Sequence, residues 1–176
     1  FDIQKDSVCG VPMFVNFVNY SIGNIDNVWS INGIATSQDP SFDNVFTTAS
    51  TSDISLIVQN EFLCADTIHK VVDIYLQPIA DFDVNGQACE GESIIIENNS
   101  MNAISYIWDI QNQGTTNVAE PELVFQTSGT YYINLIAVYN EFCKDTFSLA
   151  TPIRIYDSPT ADFEYEGEYD DNILGE

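Results

Sequence analysis

Apolar and polar residues alternate along short stretches of this chain, and turn-forming residues separate the stretches. In the second half the alternation predicts strands at 82–85, 93–98, 105–110, 123–126, 131–139 and 146–156. Along the fifth of these, one face holds Tyr131, Ile133, Leu135 and Ala137, and the other holds Tyr132, Asn134 and Ile136. No stretch has a convincing helical period. The pattern predicts an all-β fold.

The same pattern occurs twice, with a repeat length of about 80 residues. Segment 60–67 returns as 140–146, each with an Asn-Glu-Phe motif followed by Cys and Asp-Thr. Segment 80–82, Ala-Asp-Phe, returns at 161–163. We therefore predict two tandem domains, 1–80 and 81–161, and assign 162–176 to the start of a third repeat or to a linker.

Each repeat contains one tryptophan, Trp29 or Trp108, at equivalent positions. Short strands, regularly spaced turns and one tryptophan per ~80 residues are typical of an immunoglobulin-like β-sandwich of about seven strands. We expect both tryptophans to lie in the cores of their sandwiches, where their bulk is best buried.

Several segments resemble a known family: 15–21 and 95–100 at the second strand, the two tryptophans, and Gly129-Thr130-Tyr131 at the start of a long strand. They resemble polycystic-kidney-disease (PKD) domains and related immunoglobulin-like repeats of bacterial surface proteins, particularly those of Bacteroidota. The family's Trp-x-Phe-Gly-Asp-Gly turn is missing here, and segments 29–33 and 108–112 have other sequences in its place. The resemblance implies export by the type IX secretion system and a role in surface adhesion or gliding motility.

Charge narrows the range of partners. The chain has 27 Asp and Glu against 4 Lys and Arg, a formal net charge of −23. Such a surface repels nucleic acid and anionic lipid, and no run approaches the ~18 apolar residues of a membrane span. Because the chain starts at Phe1 without a leader-like stretch, we expect a segment of a longer, exported protein at the cell surface or in the extracellular space.

One acidic segment has the spacing of a calcium loop. Asp81, Asp83 and Asn85 alternate before Gly86, and Glu92 stands at the twelfth place. The flanking helices of an EF-hand are missing from the pattern, so a solvated linker followed by a first strand is the alternative. Ca²⁺ is the one cofactor that we consider; we predict no other.

Four cysteines, two per repeat, indicate disulfides in an exported protein. One possibility joins cysteines within each repeat, Cys9 to Cys64 and Cys89 to Cys143. In an immunoglobulin-like sandwich, however, the cysteine before the second strand and the one after the sixth lie at opposite ends. If the repeats stack end to end, Cys9 approaches Cys143, and we prefer this inter-repeat bond while keeping the other pairing open.

Candidate modification sites are few. Ser7 and Thr67 each follow an aspartate, as in the short O-glycosylation acceptors of the Bacteroidota that the chain resembles. The sequons at Asn19 and Asn98 are better explained as turns, because Asn and Ser favour turns at strand ends.

Nothing in the sequence assembles a catalytic site. The single histidine, His69, is predicted in a strand at 67–76 with no nucleophile in motif context. We expect a structural or adhesive spacer stalk that contacts neighbouring repeats and other cell-surface proteins or polysaccharide, and no enzymatic activity. The alternative is a carbohydrate- or protein-binding module accessory to a secreted hydrolase, which exposed aromatic residues near Tyr20, Tyr106 or Tyr139 would favour.

Overall fold

The computed structural model describes residues 1–84, 87–164 and 166. Of the predicted third-repeat segment, 165 and 167–176 lie outside the described residues. The described residues contain strands and turns and no helix, which confirms the all-β prediction. None of them forms a helix long and apolar enough to cross a membrane.

Strands β1 to β7 form the first sandwich. They are β1 Asp2–Lys5, β2 Met13–Val18, β3 Asp26–Ile31, β4 Ile34–Ser37, β5 Ser41–Phe46, β6 Ser50–Gln59 and β7 Ala65–Ile74. One sheet has the order β1-β2-β5 and the other the order β4-β3-β6-β7, with antiparallel neighbours throughout. Alternate residues of β2 point inward, so Met13, Val15 and Phe17 are fully buried against the opposite sheet.

Strands β8 to β17 form the second sandwich. They are β8 Phe82–Val84, β9 Ala88–Cys89, β10 Ser93–Asn98, β11 Ser105–Ile110, β12 Gly114–Thr116, β13 Glu122–Val124, β14 Gly129–Tyr131, β15 Ile133–Val138, β16 Lys144–Ser148 and β17 Ile153–Tyr156. The sheets have the orders β13-β10-β8, β12-β11-β15-β16 and β14-β17-β9. Their common core is made of residues from 80 to 155.

The predicted alternation along 131–139 is confirmed. Tyr131, Ile133, Leu135 and Ala137 are all buried. The segment is nevertheless two strands, because the chain passes at Tyr132 from pairing with β17 to pairing with β11. The side chain of Gln111 accepts a hydrogen bond from the Tyr132 N–H at this break (3.2 Å).

Other strands match or depart from prediction for clear reasons. Strands β10 and β11 have the predicted bounds. The predicted strand 146–156 is split into β16 and β17, and Pro152, which has no N–H to donate to a ladder, lies in the gap. Strands β9 and β12 were not predicted, since two or three residues are too few to show a period.

The two tryptophans have the same surroundings, and their predicted burial is confirmed. Both are fully buried, and each donates its indole N–H to a backbone carbonyl, Trp29 to Asp39 (2.9 Å) and Trp108 to Val118 (2.8 Å). The first phenylalanine of each repeat packs edge-on against the tryptophan at 5.0 Å, Phe1 on Trp29 and Phe82 on Trp108. The repeat seen in the sequence is therefore also a repeat of core contacts.

Candidate functional site

The segment 75–81 leads from the first sandwich to the second; we call it, with the residues that it contacts, the joint. Its backbone is bonded to the loop between β10 and β11. Ile79 and Met101 exchange both backbone hydrogen bonds at 2.9 Å. The Asn102 amide donates to the Gln77 carbonyl at 3.2 Å. The joint is therefore held to the second sandwich by ladder-like bonds.

A carboxylate holds the end of the same segment. Asp145 Oδ2, on β16, accepts a hydrogen bond from the buried Ala80 N–H at 2.8 Å. Asp81 is held by Ser100, whose hydroxyl oxygen accepts from the Asp81 N–H at 3.1 Å. A bond from a backbone N–H to a carboxylate is stronger than one between neutral groups, so Asp145 fastens the joint to the strand that follows the Cys143 turn.

An aromatic pair connects the two sandwiches directly. The rings of Tyr75 and Tyr139 have centroids 5.2 Å apart and an interplanar angle of 39°. Burial raises the pKa of Tyr75, and the nearby Asp73 carboxylate raises it further by charge and by hydrogen bonding. The Tyr75 hydroxyl therefore stays protonated at physiological pH.

Two thiols also meet at the joint. The Gly10 N–H donates to the Tyr75 carbonyl at 2.9 Å and so holds the Cys9 loop against the joint. Cys143 is fully buried, with its Sγ 3.6 Å from the Val8 carbonyl oxygen. Burial raises the pKa of Cys143 to about 12, and the Cys9 thiol contributes through a hydrogen bond and its charge. Cys9 and Cys143 are neighbours across the joint.

The cysteines of one sandwich are far apart. Cys64 precedes β7, whose ten residues lead to Tyr75, the residue that accepts the bond from Gly10. Ten residues of strand span about 30 Å. In the second sandwich Cys89 pairs with Tyr156 at the end of β17, whereas Cys143 precedes β16. Both cysteine pairs within a repeat therefore lie at opposite ends of a sandwich, and all four cysteines are thiols in this structure.

The turns that carry Cys64 and Cys143 are alike. In each, an asparagine side-chain oxygen accepts from the cysteine N–H, Asn60 at 3.0 Å and Asn140 at 2.8 Å. Their exposure differs, because the first sandwich covers Cys143 whereas Cys64 is open to solvent. The burial of Cys143 is thus a consequence of the joint and not of the turn.

A groove of about 760 Å³ runs beside these contacts. It is lined from the first sandwich by Val8, Val71 and Tyr75, and from the second by the Asn140–Phe142 turn. Phe142 is 67% exposed, and Ser7 also lines the groove. An extended chain or a short polymer has room to lie in it.

The calcium candidates have other partners in the structure. Asp83 accepts from the Asn99 amide at 3.2 Å, and Glu92 accepts from the Cys89 N–H at 2.8 Å. Asn85, like Gly86, lies outside the described residues. Among the described residues, no group of three or more His, Cys, Asp or Glu is placed to hold a metal ion. Calcium at Asp81, Asp83, Asn85 and Glu92 stays a prediction.

The modification candidates lie on the surface. Ser7 and Thr67 are both exposed, so a transferase can reach them, and their glycosylation stays a prediction. The two sequons form turns: the Asn19 side chain accepts from the Ser21 N–H at 2.7 Å, and Asn98 accepts from the Ser100 N–H at 3.1 Å. These bonds agree with the turn interpretation of the sequons.

The remaining candidates are dispersed. His69 lies on β7, where its Nδ1 pairs with the Asp53 carboxylate at 3.0 Å and its side chain is 60% exposed. Tyr20 is exposed, Tyr106 packs against the second core, and Tyr139 packs against Tyr75. These three tyrosines do not form a shared aromatic surface.

The sheet orders and the buried tryptophans define an immunoglobulin-like β-sandwich protein. No family model matches the chain, and no curated protein matches it. Among solved structures, it is similar to the amphioxus IgVJ-C2 molecule, with 14% identity, a TM-score of 0.48, and coverage of 85% of this chain and 97% of that one.

Two further solved structures are similar. One contains the fibronectin(III)-like modules of Clostridium thermocellum CbhA, with 10% identity, a TM-score of 0.45, and coverage of 94% and 100% of the two chains. The other is the C-terminal 282-residue fragment of intimin in complex with the intimin-binding domain of its translocated receptor, with 15% identity, a TM-score of 0.47, and coverage of 88% and 64%. The fold assignment rests on the sheets and cores of this chain.

Sequence reasoning missed most residues of the joint. Asp145 and Tyr75 belong to segments that recur in the repeat, as Asp66 and Tyr156. A residue that recurs at the end of a repeat and is not needed for its core is a candidate for contact between repeats.

Proposed function

We propose that this chain is a structural or adhesive segment of a secreted or cell-surface bacterial protein, in which two tandem PKD-like modules act as a spacer. The single observation that carries the proposal is the bonded joint. Hydrogen bonds at Gln77, Ile79 and Ala80 tie the connecting segment to the second sandwich. A segment fastened at three of four neighbouring residues transmits force and orientation, whereas a free linker does not.

The surface chemistry supports an extracellular role. A net charge of −23 keeps such a segment soluble and away from nucleic acid and anionic membranes. The proposal includes export by type IX secretion and a role in adhesion or gliding motility, and this part rests on the resemblance to Bacteroidota repeats. Its partners are neighbouring repeats and surface proteins or polysaccharide.

No enzymatic role is proposed. The histidine has a carboxylate partner on an exposed sheet face, far along β7 from the thiols at the joint. The groove beside the joint favours a second candidate function. In it, the chain is an adhesive module that binds an extended protein segment or a polysaccharide. Phe142 offers an exposed ring for that contact.

Rotational diffusion tests the spacer proposal. NMR relaxation of the whole chain should give one common tumbling behaviour for both sandwiches. The control variant carries a Gly-Ser insertion between Leu76 and Gln77, which leaves both cores intact and should let the two sandwiches tumble separately. Independent tumbling of the unmodified chain would contradict the proposal. Titration with candidate surface polysaccharides, followed at Phe142, tests the adhesive alternative.

A further inference from the structure

The two thiols at the joint are placed to react with each other. Cys143 Sγ lies 3.6 Å from the carbonyl oxygen of Val8, the residue directly before Cys9. Gly10, the residue after Cys9, donates its N–H to the Tyr75 carbonyl at 2.9 Å, so both neighbours of Cys9 are held at the joint. The two residues come from different sandwiches and are far apart in sequence, so their meeting depends on how the sandwiches are joined.

We propose that Cys9 and Cys143 form a disulfide that links the first sandwich covalently to the second. The bond goes beyond the proposed spacer function, because its geometry does not depend on what the chain does at the cell surface. Neither cysteine has another cysteine near it, since Cys64 is a β7 length of about 30 Å from Cys9. Cys89 is likewise at the opposite end of the second sandwich from Cys143.

A small disulfide can serve as the oxidant that accepts the two electrons of the reaction. Cys9, which is partly exposed, loses its proton and attacks the oxidant's S–S bond, forming a mixed disulfide and releasing one thiol. Cys143 then loses its proton and attacks the Cys9 sulfur, which releases the second thiol. Two electrons pass from the cysteines to the oxidant, and the two protons end on the thiols that leave.

Burial at the joint acts on the rates of forming and breaking the bond. A buried thiolate is costly because it carries charge away from water, and burial raises the pKa of Cys143 to about 12, so Cys143 attacks slowly in the second step. The buried sulfur is also shielded from reducing thiols, which stabilises the bond kinetically once it has formed.

Peptide mapping without reduction tests the bond directly. The whole chain is incubated with oxidised glutathione, blocked with iodoacetamide, digested and analysed by mass spectrometry. The expected result is a linked pair of peptides containing Cys9 and Cys143, lighter by two hydrogen atoms than their reduced sum. Linked peptides with Cys9–Cys64 or Cys89–Cys143 would overturn the proposal.

Two variants make the test independent of folding. Cys64→Ser with Cys89→Ser removes the other thiols and leaves both joint cysteines, and it should still form the bond. Cys9→Ser should not form it, while its circular dichroism remains that of the unmodified chain. Failure of the double variant to cross-link, while it keeps native circular dichroism, would also overturn the proposal. The NMR relaxation experiment on the spacer proposal is done under reducing conditions, where the disulfide is absent. Its outcome therefore does not depend on whether the disulfide forms.

Discussion

Tyr75 and Tyr139 pack against each other across the joint, with ring centroids 5.2 Å apart and the rings tilted by 39°. Aromatic pairs of this kind contribute about 0.5–1.5 kcal/mol beyond the area that they bury. Tyr139→Ala should therefore loosen the contact between the sandwiches without unfolding either one. Residual dipolar couplings of the reduced chain should then fit two independent alignment tensors in place of one.

Tyr132→Ala is the matched control for that variant. Tyr132 is a tyrosine of the same sandwich, 55% exposed, and its ring is not part of the joint. Its removal should leave a single alignment tensor. If both variants behave like the unmodified chain, the contact between Tyr75 and Tyr139 does not contribute to the joint.

A second prediction concerns the carboxylate of Asp145. Because it accepts from the buried Ala80 N–H at 2.8 Å, Asp145→Ala should leave that donor unsatisfied. Loss of a bond to a charged group costs about 1.5–3 kcal/mol, so hydrogen exchange at the Ala80 amide should become at least about tenfold faster. Asp145→Asn keeps an acceptor oxygen and should show a smaller increase. Unchanged Ala80 exchange in Asp145→Ala would count against this bond.

A third prediction tests whether each sandwich unfolds by itself. Trp108→Ala removes a fully buried side chain and should cost the second sandwich about 3–5 kcal/mol. Trp29 then remains as the only tryptophan, so its fluorescence reports the first sandwich alone. The urea midpoint of the Trp29 fluorescence should shift little from that of the unmodified chain. The unfolding transition of the second sandwich, followed by circular dichroism, should shift much more. Equal shifts would mean that the two sandwiches unfold as one unit.

A fourth prediction concerns thiol reactivity in the reduced chain. The thiolate is the reactive form, and raising the pKa of Cys143 from 9.0 to about 12 lowers its thiolate fraction about a thousandfold at neutral pH. Exposed Cys64 should therefore be alkylated much faster than Cys143 at pH 8. The Cys143 rate should rise about tenfold per pH unit until the pH approaches 12. Mass spectrometry of timed samples measures both rates.

Removal of Cys9 provides the control for the pH dependence. Cys9 raises the pKa of Cys143 by a hydrogen bond and by charge, while Asn140 and Lys5 lower it. Cys9→Ala should therefore lower the pKa of Cys143 partway and speed its alkylation at pH 8. Equal rates for Cys64 and Cys143 in the unmodified chain would show that the first sandwich does not cover Cys143.

The sequence predicts those parts of the fold that have a local signature. Strands β10 and β11 alternate over six residues each, and both were predicted with their observed bounds. The hairpin between β3 and β4 also has a local signature, since Asn32 and Gly33 have φ angles of 51° and 77°. An Asn-Gly pair is the preferred sequence for such a turn.

The joint has no comparable local signature. Ala80 and Asp145 are 65 residues apart, and a hydrogen bond between a backbone N–H and a distant carboxylate leaves no period in the sequence. The approach of Cys9 to Cys143 was expected from the general order of strands in an immunoglobulin-like sandwich. The strand order predicts which ends of the two sandwiches meet. It does not predict the contacts of Asn102, Asp145 and Tyr139 that hold those ends together.

Strand β9 is parallel to β17, with Ala88 opposite Ile155 and Cys89 opposite Tyr156. Parallel neighbours enter a sheet from the same end, so tension between the start and the finish of the second sandwich pulls β9 and β17 in opposite directions along their length. This is shear, in which the hydrogen bonds of the pair share the load and must break together. This short pair of strands is thus the place where pulling along the chain loads the second sandwich in shear.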